Sequence, residues 1–89
     1  MTEVILSGFE ITSKGALHTH LALELDLPEW YGRNLDALYD CLTDLKNDVR
    51  IILPDFPILE EQLGRYAQAL LSTLKDAAAE NPHIHIIIE

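Results

Sequence analysis

Leu27-Pro28-Glu29-Trp30-Tyr31-Gly32-Arg33-Asn34-Leu35-Asp36-Ala37-Leu38-Tyr39-Asp40-Cys41-Leu42-Thr43 is the stretch on which the reading of this chain turns. It combines an aromatic loop with a short helix that has one apolar and one acidic face. At about 100° per residue, Leu35, Leu38, Cys41, Leu42 and the following Leu45 share one side. Asp36, Tyr39, Asp40 and Thr43 occupy roughly 100° of arc on the other. No Lys or Arg lies between Asn34 and Leu45, so nothing within the helix neutralises this face. Carboxylates at i,i+4 repel by about 0.2–0.5 kcal/mol on an isolated helix. Asp40 and Asp44 also fall toward the C-terminal end, where the helix dipole disfavours anions. A surface selected for stability alone would avoid this pattern; a cationic partner explains it.

Charge in the whole chain follows the same bias. The 89 residues carry a net charge of −9, and residues 24–48 hold seven acids against two bases, a local charge of −5. Such a field repels nucleic acid and anionic membranes and attracts basic proteins or metal cations. At 48% hydrophobic residues the chain supplies one small core, which predicts a single domain over 1–89. Cys41 is the only cysteine, so no internal disulfide forms. Its helical position predicts a packed thiol, and its solitude favours a cytoplasmic protein. No signal peptide or membrane span is evident.

Outward from the central stretch, strands and helices alternate. Val4-Ile5-Leu6 reads as a strand, and Ser13 caps a helix with Leu17, Leu21 and Leu25 inward. Leu27-Pro28 is expected to end that region. Asn34 caps the acidic helix. Val49–Leu53 is a second strand, after which Asp55 caps a short helix with Pro57 in its first turn. Gly64 separates that helix from a longer one over about 65–80, with Leu70, Leu74, Ala77 and Ala78 inward, ended by Asn81-Pro82. His83–Glu89 forms the last strand. Helical crossovers between strands imply parallel pairing. The expected fold is a two-layer α/β domain: a three-stranded parallel sheet of order 1-2-3 with about four helices on one face. Val4/Leu6, Val49/Ile51/Leu53 and Ile84/Ile86/Ile88 supply the covered face, and Ile5, Ile52 and Ile87 form an apolar row on the open one.

The segment 27–43 resembles the signature of the barstar family, intracellular inhibitors of the ribonuclease barnase. The likeness extends more weakly over the chain through length, element order and the closing Ile84-His85-Ile86-Ile87-Ile88. It implies a barstar-like fold and a one-to-one inhibitor, monomeric when free, of a small basic ribonuclease of the extracellular, barnase-like type. No catalysis, cofactor or metal is implied, and no nucleic acid or membrane partner. An RNase gathers cationic groups around a phosphate, and a rigid carboxylate can replace that phosphate. By similarity Asp40 takes the phosphate-like place and Asp36 engages a second cation. Trp30 and Tyr39 supply flat contact area, Asn34 and Thr43 polar contacts, and Asp76 an acidic contact from the long helix. Asp44 and Leu45 stand where the family prototype has Gly and Trp, so Asp44 adds a charge at the rim. Arg33 replaces an acid in the loop, weakening attraction to a basic target at that edge. Asp76 is one methylene shorter than the family's usual Glu, and Pro82 replaces a second cysteine.

Other readings are weaker on the residues. An acidic docking module for a different basic protein, such as another toxin, shares the same face. An enzyme using Asp36 and Asp40 as a carboxylate pair needs a concave setting that an exposed helix does not offer. A carrier protein needs an Asp-Ser-Leu attachment site, and none occurs. His83 and His85 have ligand-pair spacing on a strand, but no third ligand is evident. His18 and His20 lie about 200° apart on their helix.

Overall fold

A computed structural model describes residues 1–89. The elements run β1 (Thr2–Ile5), α1 (Lys14–Glu24), α2 (Leu35–Thr43), β2 (Val49–Leu53), α3 (Phe56–Leu63), α4 (Arg65–Glu80) and β3 (Ile84–Ile88). The three strands form one parallel sheet in the order β1-β2-β3, as the strand and helix alternation predicted.

Register shows how the pleat sorts the side chains. Val4 pairs with Ile51 and Ile51 with Ile86, placing these residues in the row under the helices. Val4, Leu6, Val49, Ile51, Leu53 and Ile84 are buried there with Leu17, Leu21, Leu38, Leu42, Leu59, Leu70 and Leu74. On the opposite face Ile5, Ile52 and Ile87 are aligned across all three strands. Beside them run Glu3, Arg50 and His85, with Arg50 donating to Glu3 Oε2 at 2.8 Å. The expected covered face is incomplete at one point: Ile88 is exposed. It pairs with Leu53 at the very end of the sheet, beyond the helical layer's cover.

Helix starts follow the cap chemistry at two positions out of three. Ser13 Oγ accepts from Ala16 N at 3.1 Å, and Asn34 Oδ1 accepts from Ala37 N at 2.8 Å. Asp55 corrects the third expectation. Its side chain caps nothing, and it sits in the left-handed region at φ 50°. The chain passes straight from β2 into α3 through this residue, whose backbone carbonyl, not its carboxylate, accepts from Ile58 N at 2.9 Å. Between α3 and α4, Gly64 has φ 62° and ψ −138°, a conformation that only glycine adopts freely. Gly8 is needed for space, because a Cβ there would lie 2.4 Å from the Leu59 backbone nitrogen.

The end of α1 also differs from expectation. Leu27-Pro28 does not terminate it. Asp26 turns left-handed (φ 51°), its N–H points to Leu23 O at 3.4 Å, and Leu27 N donates to Ala22 O at 2.9 Å. This is a Schellman closure with aspartate in the place glycine usually takes. Proline therefore shapes the following loop, not the helix end. Residues 26–34 emerge from this turn and lead into α2, which packs along α4.

Candidate functional site

The loop between α1 and α2 is held from below by a buried aromatic anchor. Tyr31 is only 6% exposed, and its hydroxyl lies 2.6 Å from His18 Nδ1. His18 Nε2 meets the Tyr66 hydroxyl at 2.7 Å, which ties the loop, α1 and α4 to one imidazole. Neutral histidine donates from one ring nitrogen and accepts at the other, so both tyrosines are satisfied. Burial, and then the Arg33 guanidinium, push the His18 pKa below its ordinary value. Burial pushes Tyr31 up to about 12, with Cys41 and Tyr66 adding to the effect. With its neighbour pinned inward, Trp30 is left 82% exposed.

Next along the loop, Arg33 is left-handed at φ 55°. Its Nη2 donates to Gly15 O at 2.9 Å and to Thr19 Oγ1 at 2.7 Å. The sequence treats it as a free basic charge at the edge of the site; in the fold it is bonded to α1. Asn34 then starts α2, with its Nδ2 donating to Gly32 O at 3.2 Å.

Leu38 and Leu42 anchor α2 in the core. Asp36, Asp40 and Asp44 are exposed, while Tyr39, Cys41 and Thr43 are half-buried. The structure's two ion pairs, Arg50–Glu3 and His83–Asp48, involve none of these three carboxylates. An open groove of about 260 Å³ runs between loop and helix, lined by Trp30, Tyr31 and Gly32 on one side and Ala37, Asp40, Cys41 and Asp44 on the other. Cys41 is thus a groove-lining thiol, less enclosed than its helical position predicted. Burial, followed by Asp40 and Asp44, raises its pKa, which keeps the sulfur protonated and weakly nucleophilic.

Of the residues singled out in the sequence, Trp30, Asp40 and Asp44 surround this one groove. Asp36 is exposed on α2 and Asp76 on α4, and neither lines it. Asn34 is engaged as a helix cap. The Thr43 hydroxyl bonds back to Tyr39 O at 3.0 Å and Asp40 O at 3.2 Å, leaving only its acceptor side for a partner. Tyr39 packs its ring partly against the core.

The comparisons with known proteins bear on what this groove meets. A family model described as Barstar (barnase inhibitor) matches residues 1–88. The chain belongs to the barstar family. A protein of Bacillus subtilis (strain 168), YrdF, named as a proposed ribonuclease inhibitor, is 37% identical over 91 residues, covering the whole of both chains. The description of the family is that of an inhibitor. Nothing in the barstar-like fold here crosses a membrane as a helix, since no helix is long and apolar enough.

Three residues that shape the site escaped the sequence reading. Asn81 is 5% exposed, and its Nδ2 donates to Leu42 O at 2.9 Å and Leu45 O at 3.0 Å. Its Oδ1 accepts from His83 N at 3.0 Å. One amide thereby bonds a carbonyl in the last turn of α2 and one just past its Asp44 cap, holding the end of the helix near Asp40 and Asp44. Nothing local marks it beyond a helix-ending Asn-Pro. His18 was detectable, because it falls in the inward arc with Leu21 and Leu25. Tyr66 stands at the second position of α4, where no periodic signal separates a surface tyrosine from a bonded one. Apart from these three, His83, expected to open the last strand, lies just before β3 and bonds Asp48 at 2.9 Å.

Proposed function

We propose that this chain inhibits a small basic ribonuclease of the barnase type one-to-one, by covering its active site with α2 and the loop before it. The observation that carries the proposal is the set of unpaired carboxylates of Asp40 and Asp44 beside the exposed Trp30, in a chain of the barstar family. In this reading Asp40 occupies the place of the substrate phosphate and accepts charge-assisted hydrogen bonds from the cations gathered there. Asp36 meets a second cation, and Asp44 contributes from the rim. Trp30 and Tyr39 cover the surrounding surface, with Asn34, Thr43 and Asp76 at the margins.

The physical case rests on preorganisation. The α2 acids need no ordering at binding, because Leu38 and Leu42 fix the helix below and Asn81 fixes its end. The groove is already lined by Tyr31, whose ring is held by His18. Binding then avoids much of the ordering cost that offsets contact energy in flexible partners. Isolation of Asp36, Asp40 and Asp44 from internal cations means that no ion pair must break first.

The test is competition. Barnase, the enzyme named in the family description, is to be assayed on an RNA dinucleotide at increasing inhibitor. The expected outcome is an apparent Kd that rises in proportion to an active-site mononucleotide, with complete loss of turnover at one equivalent. Inhibition that leaves the mononucleotide's affinity unchanged would place the contact outside the active site. Absence of inhibition at micromolar concentration, for barnase and its superfamily, would end the proposal.

A further inference from the structure

The loop that carries Trp30 touches α1 at two points, and the second of them uses a residue whose charge opposes the rest of the face. Tyr31 and Arg33 flank Gly32, and both reach back to α1: Tyr31 to His18, Arg33 to Gly15 and Thr19. Gly15 and Thr19 are one helical turn apart, so a single Nη2 can place its two hydrogens on the Gly15 carbonyl and the Thr19 hydroxyl together. The backbone of Arg33 is left-handed at φ 55°, a conformation that costs a non-glycine residue and persists only where its surroundings impose it. Within residues 32–34 the other bonds beyond the helix's own are local ones made by Asn34. Remove the guanidinium, and Tyr31 is left as the segment's one hydrogen-bonded link to α1, while Asn34 still joins Gly32 to the start of α2.

We infer that Arg33 is a positioning residue, which pins the Gly32 wall of the groove to α1. In an otherwise acidic site a cation reduces attraction to a basic partner. Arg33 compensates by locking the geometry that the partner meets, so its contribution lies in slow dissociation and not in fast encounter. The structural half of this claim concerns the free protein alone; its consequence for inhibition rests on the proposed function.

Two charge-neutral changes isolate the tether. Thr19→Val keeps the shape of an exposed helical side chain remote from the groove and removes one acceptor. Arg33→Lys keeps the charge and removes the planar fork. In the free protein, backbone 15N order parameters at Gly32, position 33 and Asn34 are expected to fall from about 0.85 toward 0.6 in both variants, while those of α1 and α2 stay fixed. Against barnase, dissociation is expected to quicken about three- to ten-fold with association changed less than about two-fold. Arg33→Glu separates the two effects further: association quickens at low salt and dissociation quickens as well. Order parameters at wild-type values in both variants would overturn the tether. A loosened loop with unchanged dissociation would overturn its role in inhibition. Loosening in variants of a chain that does not inhibit barnase would leave the tether standing and sink the proposed target.

Discussion

The Tyr31 hydroxyl and His18 Nδ1 stand 2.6 Å apart, and this buried contact holds the groove's loop against the first helix. It also makes stability depend on pH in a definite direction. The folded pKa of His18 lies below its ordinary 6.5. Between those two values the unfolded chain binds more protons than the folded one, so stability falls as pH falls. Thermal melts are therefore expected to show full stability above about pH 6.5 and progressive loss below it, relative to His18→Gln. Tyr31 acts at the other end. Its pKa is raised from 10.0 to about 12, so the folded state holds a proton that the unfolded state has lost, and stability drops as pH rises across that window. A wild-type melting temperature as flat as that of the variant from pH 5 to 7 would contradict the His18 assignment.

Asn81 serves α2 from a distance in sequence. Asn81→Ala removes the side-chain donor from both carbonyls: Leu42 O keeps the Leu45 N–H at 3.2 Å, whereas Leu45 O loses its partner in a largely buried place. The expected cost is about 1–3 kcal/mol in urea unfolding, with the slope of the transition unchanged. Hydrogen exchange is expected to rise most at the C-terminal end of α2. A loss below about 0.5 kcal/mol would mean that solvent replaces the amide at no cost.

Asp26 offers the opposite kind of change. It occupies the left-handed closure of α1 and places an anion at a helix C-terminus, both unfavourable. Asp26→Gly is expected to stabilise the chain by about 0.5–1 kcal/mol, measured by the same unfolding curves. Destabilisation would show that the carboxylate makes a contribution its geometry does not reveal.

Legibility of the fold tracked the range of the interactions involved. Alternation in Val49–Leu53, leucine spacing in α1 and the Ser13 and Asn34 caps are local, and each stands where the residues alone placed it. Sheet order followed from short helical crossovers, and register aligned Ile5, Ile52 and Ile87 as a row. The sequence misassigned the ends of elements where a left-handed residue intervenes, at Asp26 and Asp55, because neither is glycine. It could not show the His18–Tyr31–Tyr66 contact, the Asn81 bonds or the Arg33 tether. Those join residues between 13 and 48 positions apart, through polar atoms that carry no periodic signal.

The acidic surface gives an electrostatic prediction. Asp44 is exposed at the groove's edge and unpaired. Association with barnase is expected to slow steeply as the Debye length shrinks from about 30 Å at 0.01 M salt to about 3 Å at 1 M, with dissociation changing far less. Asp44→Asn slows association modestly and leaves dissociation nearly alone. Stopped-flow rates across a salt series measure both. A salt-independent association rate would make these acids ordinary solvated surface.

Asp40→Ala removes the carboxylate proposed to stand in for the substrate phosphate. Truncation of a central, desolvated contact costs more than about 2 kcal/mol at interface hot spots, for which the barnase–barstar pair is itself a reference system. Titration of barnase with wild-type and Asp40→Ala protein, at enzyme concentrations spanning both affinities, gives the comparison. Wild type is expected to reach equivalence at one inhibitor per enzyme. Asp40→Ala is expected to raise the Kd at least about 30-fold. Its melting temperature is expected to equal that of wild type or lie slightly higher, since repulsion with Asp36 and Asp44 is relieved. A variant that folds normally and inhibits as tightly as wild type would contradict the phosphate-like role of Asp40.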